Sequence, residues 1–251
     1  MAFESILDPV FNPLLKMPPL LAILLISFII TLLITLVYKF TTDQKKMKKL
    51  KEEMKEHQKK IKELSKKDPQ KAMQMNSEAM KGNLEYMKSS FKSTLYTLIP
   101  IIIIFGWLNT HMAYYPLLPN QEFKVTAYFT EGHTRTVALA VIPELEIIGN
   151  ATQFIIEGKA EWSLKGGEGE YKLDLNYNNE KYDMPLLISS QHQYAPPEKM
   201  ISNSKLKKIV IGNEKIYPLK DLLGLKLSWL WTYIIFSMLI SIGLRKILKV
   251  Y

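Results

Sequence analysis

Five hydroxyl side chains stand inside stretches that otherwise hold almost only apolar residues: Thr31, Thr35, Thr97, Ser237 and Ser241. Thr31 with Thr35, and Ser237 with Ser241, sit four residues apart, the spacing that stacks two side chains on one helix face. Such a set does not break bonds. It solvates, and hydroxyls gathered toward one end of apolar helices can line a polar groove that stops partway across a membrane. The same hydroxyls are equally suited to bonding back to their own helix or to joining helices, and spacing alone does not choose. For catalysis the chain offers no Ser/His/Asp grouping in recognisable context, no phosphate loop and no dinucleotide fingerprint. A non-enzyme without cofactor is therefore expected. There is no cysteine, which excludes thiol chemistry, and His57 has no convergent partners, so no metal site is expected either.

The elements that hold these hydroxyls are three uncharged runs, Leu20 to Tyr38, Leu95 to Tyr115 and Leu227 to Leu244, each close to the length a bilayer core requires. A cleavable leader is disfavoured at the first, because Glu4 and Asp8 occupy the place of a basic flank. Charge then sets the orientation. Between Lys39 and Thr94 there are 16 Lys against 8 Asp or Glu, whereas Leu117 to Asp221 holds 12 basic and 14 acidic residues. The positive-inside rule puts the first connection and the Arg245, Lys246, Lys249 tail in the cytoplasm, and the N-terminus with the second connection outside.

Within the first connection, Met47, Leu50, Met54, His57, Ile61 and Leu64 recur at spacings of three and four, a coiled-coil seam. After Pro69, a similar stripe of Met73, Met80, Leu84, Met87 and Phe91 leads into the second span, which predicts an antiparallel hairpin. The stripe suits the hairpin seam, or an adaptable surface for apolar segments in transit. Lys59, Lys60, Lys66 and Lys67 at the hairpin end would attract ribosomal RNA phosphates or anionic lipid. Without base-reading or stacking aromatics, no sequence-specific nucleic-acid binding is expected.

In the second connection, alternation at Phe123 to Phe129 and Tyr171 to Tyr177 predicts half-buried strands, with a last strand at Lys207 to Ile211. Gly166 to Gly169 and Asn178-Asn179 offer turn residues at hairpin spacing, and Pro196-Pro197 breaks the chain. Asn150-Ala151-Thr152 fits the short glycosylation tripeptide. The expected fold class is an α-helical membrane protein: three transmembrane helices with a cytoplasmic antiparallel coiled-coil hairpin and an extracytoplasmic small β-sandwich domain. The segments run 1–19 (outer N-terminus), 20–38 (span), 39–94 (hairpin), 95–115 (span), 116–226 (β-rich domain), 227–244 (span) and 245–251 (basic tail).

That order of parts resembles the archaeal YidC-like membrane protein insertases. The likeness is carried most by Ser228-Trp229-Leu230-Trp231 through Ser237 and Ser241 to Leu244-Arg245-Lys246, by the methionine-rich arm entering the second span, and by Trp162 through Tyr171. The superfamily also takes in bacterial YidC, the mitochondrial oxidase-assembly insertase and the insertase subunit of the ER membrane complex. The resemblance implies a nucleotide-independent insertase in an archaeal plasma membrane. Its cytosol-open groove would hold Thr31, Thr35, Thr97, Ser237, Ser241 and, at the rim, Arg245, and would help short-tailed client segments into the bilayer. Met73, Met80, Met87 and the four lysines would meet clients or a ribosome, with a translocon or a small membrane subunit as further partners. Bacterial members often carry an arginine inside the groove; here none lies within a span. Two other classes stay open: an ion channel or small transporter, and a membrane-anchored surface-binding protein.

Overall fold

The computed structural model describes residues 7–130 and 136–250; the first six residues of the N-terminal segment, and Tyr251 of the basic tail, lie outside the described residues. Four helices open the chain: α1 (Asp8–Leu15), α2 (Pro19–Thr41), α3 (Gln44–Lys67) and α4 (Pro69–His111). Nine strands follow among the described residues, then α5 (Lys220–Leu223) and α6 (Trp229–Ile247). Three helical segments among the described residues are long and apolar enough to cross a membrane: Pro19–Thr41, Ser93–His111 and Trp229–Ile247, with mean hydropathies of 3.1, 1.4 and 1.4. The chain falls into two units, one of Met1–Val10, Leu20–Phe105 and Leu230–Tyr251, the other of Phe11–Pro19 and Gly106–Trp229.

In the first unit, single acidic residues set the helix ends. The Asp43 carboxylate accepts the Lys45 and Lys46 N–H groups at 2.9 and 3.1 Å, filling two donors that the first turn of α3 leaves open. Asp68 serves two helices: its N–H closes α3 on the Leu64 carbonyl at 2.8 Å, and its carboxylate accepts from Lys71 N–H at 3.1 Å in the first turn of α4. Pro69 at the first position of α4 forfeits no hydrogen bond there. The expected α3 seam is the less exposed face: Met47 and Leu50 are buried and Met54, His57, Ile61 and Leu64 half-buried. On α4 the outcome differs. Along its arm before Ser93 the buried positions are Ala72 and Ala79, while Met73, Met80, Leu84, Met87 and Phe91 are 55 to 78% exposed. Small side chains allow closer backbone approach than methionine does, and a search for large apolar residues passes over them. Lys46 and Glu85 join α3 to α4 through a 2.7 Å ion pair.

α4 runs unbroken from Pro69 to His111, through Pro100, so the methionine-bearing arm and the second apolar segment share one helix. The third apolar helix ends in a fold-back: Lys249 takes a left-handed φ of 51°, and Val250 N–H bonds the Arg245 carbonyl at 2.9 Å, a Schellman-type closure. Val250 is thereby buried with Tyr38 and Met47, so this end of the expected tail is packed.

The second unit contains two antiparallel sheets. The first has the order β3 (Glu146–Ile148), β5 (Lys159–Lys165), β1 (Phe123–Phe129), β9 (Leu206–Ile211), β8 (Glu198–Met200); the second has β4 (Thr152–Phe154), β2 (Thr136–Ile142), β6 (Gly169–Tyr177), β7 (Glu180–Ile188). One buried cluster draws Val125, Trp162 and Ile209 from the first sheet and Leu139, Leu173 and Met184 from the second. Asn178 and Asn179, both left-handed, make the expected two-residue hairpin between β6 and β7. The Gly166 to Gly169 turn is not a hairpin. It carries the chain from β5 to β6 in the other sheet, and a Cβ on Gly166 would lie 1.9 Å from a Leu145 methyl.

Where α4 ends, the Tyr194 hydroxyl donates to the Asn109 carbonyl and accepts the Ala113 N–H at 3.0 Å, satisfying groups the helix terminus leaves open. Burial pushes that hydroxyl up to about 12. Helix α4 thus stops at His111, and Tyr114 and Tyr115, expected inside the span, lie beyond its end, Tyr114 in a bridge with Lys215. His192, two residues before Tyr194, keeps a buried Nδ1 without a hydrogen-bond partner among the described residues. Burial, and after it the neighbouring His111, holds the His192 imidazole below its usual 6.5. A depressed folded value means the unfolded chain binds the extra proton first, so this contribution is complete above pH 6.5 and lost as pH falls through the folded value. The carboxylates held low, Glu168 by Ser190 and Asp183 by Lys199, act only at more acid pH. The thermal midpoint of the Trp162-reported transition is expected to fall between pH 6.5 and 5 in the parent and to stay flatter in His192→Asn; equal slopes would remove His192 as the cause.

Candidate functional site

Between α2 and α6 lies a cavity of about 300 Å³, contained in the first unit. Thr31, Thr35, Ser237, Ser241 and Arg245 all line it, together with Tyr38 and Tyr233. On α2 every lining residue falls between Thr31 and Tyr38, the half of the helix nearer α3. Thr31 and Thr35 are buried, while Ser237 and Ser241 are half-buried. Thr97 is not among the lining residues: it is buried on α4, where its hydroxyl donates to the Thr94 carbonyl at 3.1 Å.

Most hydroxyls here are spoken for by their own helices. Thr35 donates to the Thr31 carbonyl at 2.7 Å, Ser237 to the Ile234 carbonyl at 3.0 Å, and Ser27 to the Ile23 carbonyl at 2.7 Å. Back-bonding of this kind is how a helix hides a hydroxyl in an apolar solvent. Thr31 differs from these three. Its residue is 5% exposed, yet its Oγ1 is buried without a partner among the described residues. Thr31 lines the cavity, and its hydroxyl, itself shielded from solvent, keeps its donor and acceptor capacity unused by the protein. At the other end the Arg245 guanidinium stands 5.3 Å from the centre of the Tyr38 ring, a cation–π contact. Arg245 is exposed, and the Tyr38 hydroxyl lies 3.3 Å from Ser90 Oγ. The cavity therefore grades from a lone hydroxyl to a cation, with Met238 and Ile234 as apolar lining between.

Ser27 stands four residues before Thr31, the same spacing as Thr31 to Thr35, so the sequence carried a signal for it that the grouping of five hydroxyls left out. It is fully buried and self-bonded, outside the cavity lining.

The methionine stripe lies on the open side of α4. Met73, Met80, Leu84, Met87 and Phe91 are followed at spacings of three and four by Leu95, Leu98 and Ile102, all exposed, so one apolar stripe runs along the helix into its membrane-crossing part. Lys59, Lys60, Lys66 and Lys67 are exposed around the α3 to α4 turn. Asn150 is exposed ahead of β4, and its carbonyl accepts from the Gln153 side chain at 2.9 Å. Among the described residues no cluster of His, Asp and Glu could hold a metal ion. A second cavity, of about 560 Å³, belongs to the other unit and is bordered by Tyr115, Leu118, Glu122, His192 and Glu214. None of the candidate groove, client-contact or glycosylation residues lines it.

Residues 4–145 match the family described as integral membrane protein EMC3/TMCO1-like. No curated protein and no solved structure matches the chain.

The contrast between Thr31 and Thr35 is open to measurement. Because Thr31 Oγ1 has no protein partner, Thr31→Val is expected to leave stability in detergent unchanged or to raise it by up to about 1 kcal/mol. Thr35→Val removes a made hydrogen bond and is expected to cost about 0.5–1 kcal/mol. Equal losses in both variants would mean that Thr31 is bonded after all.

Proposed function

The chain belongs to the EMC3/TMCO1-like family of integral membrane proteins, within the YidC/Oxa1/Alb3/EMC insertase superfamily, and from that membership we propose that it inserts short-tailed client segments through the cavity between α2 and α6. The observation that carries this is the placing of Thr31, Thr35, Ser237, Ser241 and Arg245 around one cavity in otherwise apolar helices. Moving a charged residue of the flank through the bilayer centre costs about 2.5–3.5 kcal/mol on insertion scales. Hydroxyls and a cation along half the path shorten the apolar distance, and the client's own apolar segment partitions sideways into lipid. The driving force is burial of that segment, so no nucleotide is needed. Thr97 acts in this scheme through α4 rather than at the cavity wall.

Orientation follows the basic surplus: the N-terminus outside, the α3 and α4 arms and the C-terminus in the cytoplasm, in a multi-pass plasma membrane protein of archaeal type. The two arms act as a coiled-coil hairpin, and the two sheets as a small β-sandwich on the outer side. The exposed methionines offer clients an adaptable apolar track toward the second span, in the manner of a chaperone. The lysines at the hairpin end dock the ribosome or translocon, and a small membrane subunit completes the open side of the cavity. A channel would need polar residues across the whole bilayer, whereas Leu20 to Ile26 are all apolar.

In liposomes, newly made one-span clients with short polar tails are expected to gain protease protection above that in empty vesicles. Replacing Thr31, Thr35, Thr97, Ser237 and Ser241 with Leu is expected to lower that yield while the protein still accumulates in the membrane. Met73, Met80 and Met87 changed together to Glu should reduce capture of clients added from outside the vesicle. Unchanged insertion by the five-Leu variant would remove the cavity from the mechanism.

A further inference from the structure

The segment that leaves α4 and the segment that approaches α6 are laced together inside the second unit. Tyr115 N–H donates to the Glu214 carbonyl at 2.8 Å, Ile216 N–H to the Ala113 carbonyl at 3.0 Å, and the Asn213 side-chain amide to the Tyr115 carbonyl at 3.0 Å. The one-turn helix α5 follows directly. It is tethered by Ile216 and Leu219, only 1% and 5% exposed. The side chains of α5 itself are turned out, Leu222 and Leu223 being 68% and 60% exposed, and Leu225 just beyond it is 46% exposed. Tyr115 and Leu118, on the facing segment, are exposed as well. Gly224, with φ of 67°, ends α5 in the left-handed conformation that a side chain disfavours, which lets the chain turn between Leu223 and Leu225.

Scattered apolar residues on a surface need no explanation, but a local group of four leucines and a tyrosine does. Its place in the chain says what covers it. Tyr115 follows the apolar helix that ends at His111, and Leu225 precedes the one that starts at Trp229. Both flanks are points where the chain crosses the edge of the bilayer, the zone that aromatic side chains and lysines with long stems favour. Lys220 and Lys226 bracket the leucines; Lys226 is exposed, and Lys220 lies 3.8 Å from Glu214. Their stems can lie along apolar surface while the ammonium groups meet lipid phosphates.

We infer that Leu118, Leu222, Leu223 and Leu225, with Tyr115, form a lipid-immersed foot that sits in the interfacial zone of the bilayer and fixes the depth at which the chain leaves α4 and enters α6. The inference rests on the helices being membrane spans, and not on insertase activity. The foot's occupant is lipid, not a second copy of the chain and not a partner protein.

The chain has no cysteine, so single spin labels can be placed on the full-length protein in phosphatidylcholine and phosphatidylglycerol liposomes. Labels at Leu222→Cys, Leu223→Cys and Leu225→Cys are expected to be relaxed more by oxygen than by a water-soluble nickel chelate. The order should invert at Ile156→Cys, an exposed control in the turn that meets the far end of β1. Chelate accessibility at the leucines equal to that at Ile156 would overturn the foot, and exclusion of both reagents would overturn it in favour of a protein cover. Where a label disturbs α5, Leu118→Cys reads the same surface from the other segment. Client insertion assayed on the same vesicles separates failure of the foot from failure of the insertase function.

Discussion

The hydrocarbon core of a bilayer cannot hydrogen-bond, and much of this structure follows from that single deficiency. Every polar group carried into an apolar helix must be answered by the helix itself or face a cavity that water can enter. Ser27, Thr35, Thr97 and Ser237 take the first course, each donating to a carbonyl three or four residues earlier. Thr31 has no such answer, and it stands at the wall of the cavity between α2 and α6. Read through this rule, a lone hydroxyl is informative where a bonded one is not. The same rule operates at the helix ends, where Asp43, Asp68 and the Tyr194 hydroxyl meet backbone groups that would otherwise be stranded.

The two halves of the proposed mechanism draw on different surfaces of the first unit. The cavity supplies solvation, and its polarity rises from Thr31 toward Arg245. The stripe on α4 supplies apolar contact, and it does so because the helix buries alanines instead of methionines. A client needs both, since its tail and its spanning segment have opposite solvation demands. Family membership makes that pairing coherent.

Much of this is legible in the sequence itself. Three spans were plain because length and absence of charge leave few alternatives, and the strands at Phe123 and Tyr171 were plain because alternation has a period that helices do not share. The Asn178-Asn179 hairpin was legible from turn chemistry alone. What escaped notice depended on contacts distant in sequence. No local signal says that Gly166 changes sheets, since that depends on where β2 lies when β6 arrives. Nor does one say that Tyr194 will end α4 at His111, eighty residues upstream in rough terms of chain, because the donor and acceptor meet only in the folded unit. The small-residue face of α4 was missed for another reason: alanine carries almost no hydrophobic signature, yet it permits the closest packing. Thr97, grouped by type with the cavity residues, fell outside because type says nothing about which face it shares.

The unbroken course of α4 has a mechanical side. Between Pro69 and Phe105 the arm that carries the methionines and the segment that enters the membrane are a single rod, without a loop to absorb motion. A load on the arm would be delivered along the axis into the bilayer as tilt or twist. Compliance would concentrate at Pro100, where the ladder of backbone bonds lacks a rung. A partner docked at the arm would therefore act on the posture of the membrane segment as on the far end of a lever, and stiffness at Pro100 would set how much of one becomes the other.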